Sequence, residues 1–370
     1  MKIGLIAHYG EDFYKSRIDF LAFLKGKGCE TYALVPKDEY FDKIKELSED
    51  VYFYSYKRNW AFVFSLLSTY KLFVKRIKVE KSDLVFTYKF FPNIVGVLAA
   101  RRAKVSKIVA TIAGIGFLEK KDSSIAIKLI FYVYMWVLNK ANYVVIQNID
   151  DLKLLEKYLK RPKLILTNGS GVNPEAFING KNYNSSFLEV NNLSKDSKYI
   201  TFCSRIVREK GIIELISAFN LLYDFKYNLL IAGWFDDKGI EIEVMKLIEA
   251  NPRIHFLGYQ KNVTDLLSVS DAVVLPSYYP EGVPRSLIEA MSLGKVIITT
   301  NHKGCKETCL DDKNGYLVEV KSIDSLVEAL EKLNTLSEEK IRMFKETSVE
   351  LFNKKFHRDV VFDTIWDGIE

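Results

Sequence analysis

Short apolar runs of four to six residues recur along this chain and alternate with longer helix-like stretches. That alternation constrains the fold more than any other feature. In the first half the runs are Lys2–Ala7, Thr31–Val35, Val51–Tyr56, Asp83–Tyr88, Lys107–Ile112, Tyr143–Gln147 and Lys163–Thr167. They are aliphatic, β-branched or aromatic with no polar alternation, the composition of strands covered on both faces. Between most of them lie helical stretches such as Phe13–Lys27, Trp60–Val79 and Ile125–Lys140. A βαβα order of this kind predicts a doubly wound parallel sheet.

The rhythm pauses from Asn168 to Ser197, a stretch rich in Asn, Gly, Ser and Lys, and then resumes. The second series of strands is Tyr199–Ser204, Asn228–Ala232, Ile254–Leu257, Ala272–Pro276, Val296–Thr300 and Tyr316–Val320. With 370 residues the chain is long enough for two domains. The expected fold class is α/β, with two Rossmann-like, doubly wound domains and an interdomain cleft. The boundaries expected are 1–170 for the first domain, 171–197 for the connection and 198–370 for the second. The last helix is expected to pack back on the first domain. No internal repeat or low-complexity tract interrupts this organisation.

Charge is unevenly spread. Residues 1–170 carry 29 Lys and Arg against 17 Asp and Glu, a balance of +12, whereas residues 171–370 carry −6. The first half is therefore suited to an anionic partner: a membrane, a nucleic acid or a phosphorylated acceptor. Four cysteines argue against a disulfide framework and for a reducing compartment. The N-terminal apolar run is too short for a signal peptide, and no run of ~18 apolar residues predicts a transmembrane helix. The segment from Lys57 to Lys78 is aromatic and apolar between basic clusters. It reads either as a helix in a membrane interface or as a core helix with a basic end.

Two segments carry candidate chemistry. Arg205 and Lys210 follow the first strand of the second series and precede Gly211 and a helix start. Cations at a strand's carboxyl end, beside a helix N-terminus, suit a diphosphate, although a solvated basic turn has the same composition. The second segment runs from Pro276 to Gly294 and contains Glu281 and Glu289, with seven residues between them. Glu281 falls in a loop at a strand end. Pro284 suits a first helical turn, and the amides of Gly282, Val283, Ser286 and Leu287 are then open to an anion. Carboxylates suit the vicinal hydroxyls of a sugar or ribose, yet two glutamates on a helix surface are also ordinary.

The whole string resembles glycosyltransferase family 4, two-domain GT-B enzymes that use nucleotide sugars. The motifs are Ser204-Arg205 with Lys210-Gly211, Phe256-Leu257-Gly258-Tyr259, Leu275-Pro276-Ser277, and Glu281-Gly282-Val283-Pro284 with Glu289 downstream. In the first half Pro92-Asn93-Ile94, Gly114-Ile115-Gly116-Phe117 and Gln147-Asn148 match too. The resemblance is nearest to bacterial transferases that extend undecaprenyl-diphosphate-linked sugars, including N-acetylgalactosaminyltransferases.

It implies that Arg205 and Lys210 hold the donor diphosphate and stabilise the leaving group. It also implies that Glu281 contacts the donor sugar, that Glu289 bonds the ribose, and that Gly258 and Tyr259 lie near the base. The Gly282–Leu287 backbone, including Val283, Pro284 and Ser286, would support sugar and phosphate. Retention at the anomeric carbon is implied in the same way. The expected partners are a nucleotide sugar, an undecaprenyl-diphosphate-linked sugar and the cytoplasmic face of the inner membrane, with no nucleic acid.

Many members of that family place a His near the acceptor, in the loop after the fifth strand. Here that loop carries Gly114 and Gly116 instead, so no general base is named there. His8 and Arg17 complete the acceptor-side candidates. No metal or other cofactor is expected. Asp236-Asp237 reads better as helix caps than as a metal pair, and Cys305 and Cys309 as buried small hydrophobes. The competing enzyme class is a GT-B epimerase or phosphorylase. A nicotinamide-dependent oxidoreductase is disfavoured, because no G-x-G-x-x-G follows the first strand.

Overall fold

The structure is a computed structural model that describes residues 1–47, 50–55, 62–116, 124–175 and 184–370. Lys57, Arg58, Trp60 and Phe117 lie outside the described residues. Two compact units emerge, one of Met1–Gly171 with Val361–Glu370 and one of Val172–Val360.

The first unit is built on seven strands: β1 (Lys2–Ile6), β2 (Glu30–Pro36), β3 (Val51–Tyr54), β4 (Leu84–Tyr88), β5 (Lys107–Ile112), β6 (Tyr143–Ile146) and β7 (Lys163–Leu166). Their spatial order is β3-β2-β1-β4-β5-β6-β7, and every pair is parallel. Leu5, Ala33, Phe86 and Val109 point to one face of this sheet, and Ile6, Leu34, Val85 and Ile108 to the other. Period-two alternation therefore fills two cores at once, which is why the runs lack polar residues.

The helices of this unit are α1 (Gly10–Ser16), α2 (Ile18–Gly26), α3 (Phe41–Leu47), α4 (Phe62–Val79), α5 (Phe90–Arg102), α6 (Ile125–Leu138) and α7 (Ile149–Leu155). The single helix expected over Phe13–Lys27 is broken into α1 and α2. Arg17 is the break, with φ −119°, and its guanidinium turns inward. Helix α4 buries Phe73 and Ile77 and packs Leu66, Tyr70 and Val74 on the core, leaving Leu67 and Val79 exposed. Asn93, in the first turn of α5, is fully buried. It accepts from Thr87 Oγ1 at 2.6 Å and donates to Thr111 O at 3.0 Å and Tyr134 Oη at 2.8 Å, tying β4, β5 and α6 together.

The second unit holds β8 (Lys198–Cys203), β9 (Tyr227–Ala232), β10 (Ile254–Gly258), β11 (Ala272–Leu275), β12 (Val296–Thr300) and β13 (Gly315–Val318), in the order β10-β9-β8-β11-β12-β13, again all parallel. Helix α8 (Asn184–Val190) packs Phe187 and Leu188 against Leu230 and Leu266 of this unit. The helices that follow are α9 (Ile212–Asn220), α10 (Lys238–Glu249), α11 (Val263–Val269), α12 (Arg285–Ser292), α13 (Ile323–Thr335), α14 (Glu338–Lys355) and α15 (Arg358–Ile369). From Val361 onward α15 belongs to the first unit. There Phe362 packs edge-on to Phe20 at 5.0 Å, and Ile369 O accepts from Lys107 Nζ at 2.7 Å. Among the described residues, no helix is long and apolar enough to cross a membrane.

Candidate active site

In the second unit β8 lies between β9 and β11, so the chain leaves the carboxyl ends of β8 and β11 in opposite directions. Ligands of open α/β sheets bind outside such a reversal. After β8 the chain runs through Arg205 into a 3₁₀ turn, Arg208–Lys210, and then Gly211 starts α9. After β11 it runs from Pro276 to Pro284 and enters α12. The two loops are stitched together: Tyr278 and Tyr279 donate their amides to Glu209 O at 2.8 and 3.0 Å.

Gly211 makes that approach possible. Its φ is +75°, and a Cβ there would stand 2.2 Å from the carbonyl oxygen of Pro276. Gly211→Ala should therefore cost about 2–4 kcal/mol, combining left-handed strain with a clash against backbone. A chemical denaturation midpoint equal to wild type would refute this close packing.

The stitched loops bring Lys210 onto Glu281. Lys210 Nζ donates to Glu281 Oε1, and Ser277 Oγ donates to the same oxygen at 3.0 Å. The two side chains are only 10% and 14% exposed, so the pair is largely shielded from water. A third loop supports it: Thr300 Oγ1 donates to Ser277 O, and Gly304 abuts Gly282 O so closely that a Cβ would come within 2.0 Å. Burial pushes the nearby Cys305 thiol up to about 12, and the Glu281 carboxylate adds to that rise. Cys305 and Cys309 are both buried.

Arg205 is more open. Its guanidinium meets Asp236 at 2.9 Å, with the two side chains 38% and 37% exposed. Tyr279 lies between the two cations, its ring centroid 5.7 Å from both Arg205 and Lys210. Asp237 caps α10, accepting from Gly239 N at 2.8 Å and Ile240 N at 3.0 Å. The acidic pair thus divides into one cap and one counter-ion.

Helix α12 begins one residue later than expected. Pro284 is its N-cap, with extended backbone, rather than part of the first turn. Leu287 also departs from expectation. Its amide donates to Pro284 O at 3.2 Å and its side chain is fully buried, so it offers nothing to an anion. Ser286, at the second helical position, has a first-turn amide that no intrahelical carbonyl reaches. Val283 is buried beside it. Glu289 sits one turn further on, 9% exposed, and accepts from Arg285 Nε at 2.8 Å. On the far side Gly258 ends β10 in a left-handed conformation, φ +64°, and passes the chain to Tyr259. The half-exposed Tyr259 ring meets Trp234 edge-on at 5.5 Å.

A family model described as glycosyl transferases group 1 matches residues 184–348, which contain this whole site, and a second, glycosyl transferase 4-like, matches residues 2–148. This chain is a glycosyltransferase. It is 26% identical over 349 residues to the N,N'-diacetylbacillosaminyl-diphospho-undecaprenol alpha-1,3-N-acetylgalactosaminyltransferase of Campylobacter jejuni, covering 93% of this chain and 91% of that one. It is 29% identical over 279 residues to the UDP-Gal:alpha-D-GlcNAc-diphosphoundecaprenol alpha-1,3-galactosyltransferase of Escherichia coli, covering 72% and 69%. Among solved structures, a glycosyltransferase from Rickettsia africae superposes with a TM-score of 0.82 at 20% identity, over 99% of this chain and 97% of that one. The Anabaena protein Alr3699/HepE in complex with UDP superposes at 0.79 with 17% identity, over 99% of each chain. Both likenesses support the GT-B fold.

In the first unit of this glycosyltransferase the strand order reverses between β1 and β4; of the acceptor-side candidates His8 follows β1, Arg17 packs on Tyr88 of β4, and Gly114 and Gly116 follow β5. The His8 ring lies 4.1 Å from Tyr9 and 6.1 Å from Phe91. Arg17 is only 6% exposed, and its guanidinium lies 4.4 Å over the Tyr88 ring. Among the described residues no carboxylate pairs with it, and its Nε is buried without an acceptor. Lys89, just after β4, pairs with Asp12 at 3.0 Å. Gly114 and Gly116 form a turn with φ +102° and +38°, conformations open to glycine. Ile115 between them bonds to Asp151, whose carboxyl is pushed up to about 6 by burial.

The sequence did not single out Ser277, Tyr279, Trp234 or Asp236 as parts of the glycosyltransferase's site. Ser277 alone had a signal, as the last residue of the Leu-Pro-Ser string.

Proposed function

We propose that this glycosyltransferase moves a hexose or N-acetylhexosamine from a UDP-sugar, with retention, to an undecaprenyl-diphosphate-linked sugar. The reaction would serve polysaccharide, O-antigen or glycan assembly at the cytoplasmic face of the inner membrane. The named C. jejuni and E. coli relatives support the acceptor class, and the UDP-bound Anabaena structure supports the donor class. The observation that carries the reading is the buried Lys210–Glu281 pair, with Arg205 beside Tyr279, at the sheet's reversal point.

Breaking a sugar–phosphate bond builds negative charge on the departing diphosphate and positive charge on the sugar. Lys210 and Arg205, held before the donor arrives, stabilise the first without reorganising. Glu281, fixed by Ser277 and Lys210, faces the sugar. Glu289, immobilised by Arg285, takes the ribose hydroxyls. Gly258 and Tyr259 border the base, and the Gly282, Val283, Pro284 and Ser286 backbone completes the donor contacts. His8, Arg17, Gly114 and Gly116 serve the acceptor.

The test is a screen of UDP-sugars with and without undecaprenyl-diphosphate-sugars. Acceptor-dependent sugar transfer is the expected result, and acceptor-independent epimerisation or phosphorolysis would overturn it. Arg17 supplies a sharper check. A buried guanidinium without a carboxylate is costly unless an anion joins it. Arg17→Met should raise the acceptor KM about tenfold or more, the scale of a hydrogen bond to a charged group, and leave the donor KM within about twofold. An unchanged acceptor KM, or an equal rise in both, would remove Arg17 from the acceptor side.

A further inference from the structure

Helix α6 presents an apolar face that the described structure leaves largely open. Ile125 is 87% exposed, Leu129 63%, Tyr132 60%, Val133 46% and Trp136 57%. These residues recur at i, i+4, i+7, i+8 and i+11, so they form one stripe, while Tyr134, Met135 and Leu138 on the opposite side enter the core. A helix apolar on both sides has two apolar surroundings, and the core supplies only one.

The rim of this face is basic. Lys128 lies along the stripe's edge, and Lys140 Nζ sits 4.0 Å over the Trp136 ring. Segment 157–161 is tied to the end of α6 through Asn139, which donates to Tyr158 O at 3.0 Å and accepts from Lys160 N at 2.9 Å. That holds the Tyr158 ring against Phe131 at 4.9 Å and edge-on to Tyr132 of the stripe at 6.4 Å, so the basic segment of Lys157, Lys160 and Arg161 adjoins the stripe at Tyr132.

We propose that α6 seats this enzyme on an anionic lipid bilayer, an inference that rests on the membrane-face reading above and assigns it to a particular element. Fourteen residues make a helix of about 21 Å, too short to span a hydrocarbon core of about 30 Å and suited to lying in the interface. Trp136 and Tyr132 favour the headgroup level, and the lysine and arginine rim complements anionic headgroups. Against a second copy, the same rim would place like charges opposite each other across a two-fold axis. Helix α4, part of the segment the sequence pointed to, uses Phe73 and Ile77 for the core, and among its described side chains exposes Leu67, Leu72 and Val79.

The test is co-sedimentation of the full chain with vesicles of phosphatidylcholine and phosphatidylglycerol, at low and high salt. Wild type should bind, more weakly at high salt but not to zero, because the apolar part is unscreened. Leu129→Ser/Val133→Ser/Trp136→Ser should weaken high-salt binding about tenfold or more with UDP affinity unchanged, since the donor site is in the other unit. Leu67→Ser/Leu72→Ser should bind like wild type. If wild type does not sediment, both the membrane reading and this assignment fall. If wild type sediments and the α6 variant does so equally, only the assignment falls. A wild-type dimer in solution that the α6 variant abolishes, with vesicle binding unaltered, would make the face an interface between copies and overturn the proposal. Should the triple variant misfold, Ile125→Ser reads the same face from a fully solvated position, and unchanged high-salt binding would again overturn it.

Discussion

Lys210→Ala should lower kcat by about a hundredfold or more, the scale of losing one preorganised charge at a developing anion. Lys210 is the cation best placed for this, because it is largely buried, held by Glu281 and set at the carboxyl end of β8. Arg205→Ala should act in the same direction, on a residue that is more exposed and paired with Asp236. Loss of fold must be separated from loss of chemistry. Removing Lys210 alone takes its ammonium from the largely buried Glu281 carboxylate, and breaking one side of a buried pair costs about 3–5 kcal/mol. The double variant Lys210→Ala/Glu281→Gln removes the carboxylate's charge as well. It should recover much of the denaturation midpoint and none of the turnover. A wild-type-like kcat in Lys210→Ala would end the diphosphate role.

The second large effect divides the two glutamates. Glu289→Ala should chiefly weaken nucleotide binding, because a ribose contact is equally strong in ground and transition states and so appears in KM. Its loss also removes the contact at 2.8 Å that Glu289 makes with Arg285 Nε. Glu281→Gln should chiefly lower kcat. In the proposed donor pose the carboxylate lies where the sugar changes charge, and the amide keeps its shape while removing the charge that Lys210 and Ser277 hold in place. Calorimetric titration of UDP distinguishes them: affinity should fall about tenfold or more in Glu289→Ala and stay near wild type in Glu281→Gln. Equal losses would show that the roles are wrongly divided.

The strands were legible because a parallel sheet buried on both faces demands unbroken apolar runs. Each of the thirteen runs read from the sequence is a strand of the two sheets. The motif residues were legible as strand-end loops for the same reason. Less legible was what those residues touch. Lys210 and Glu281 are 71 positions apart, and nothing local indicates that one neutralises the other. Arg17, an acceptor-side candidate, fell inside one expected helix, and neither the break there nor its packing over Tyr88, 71 positions on, is written in the local sequence. The α6 sequence is apolar all round, so its hydropathy does not reveal which half the core leaves uncovered.

Local composition thus determined which segments are strands and which residues end them, whereas the family was read from the resemblance of the strand-end motifs. Those properties follow from short-range preferences and from two-faced burial. Tertiary structure alone decided the partners: β8 beside β11, Lys210 against Glu281, Arg205 against Asp236, and α6 with one face bare. Partnership is set by the order in which strands pair and by the close approach that Gly211 permits to Pro276, and both join residues far apart in the chain.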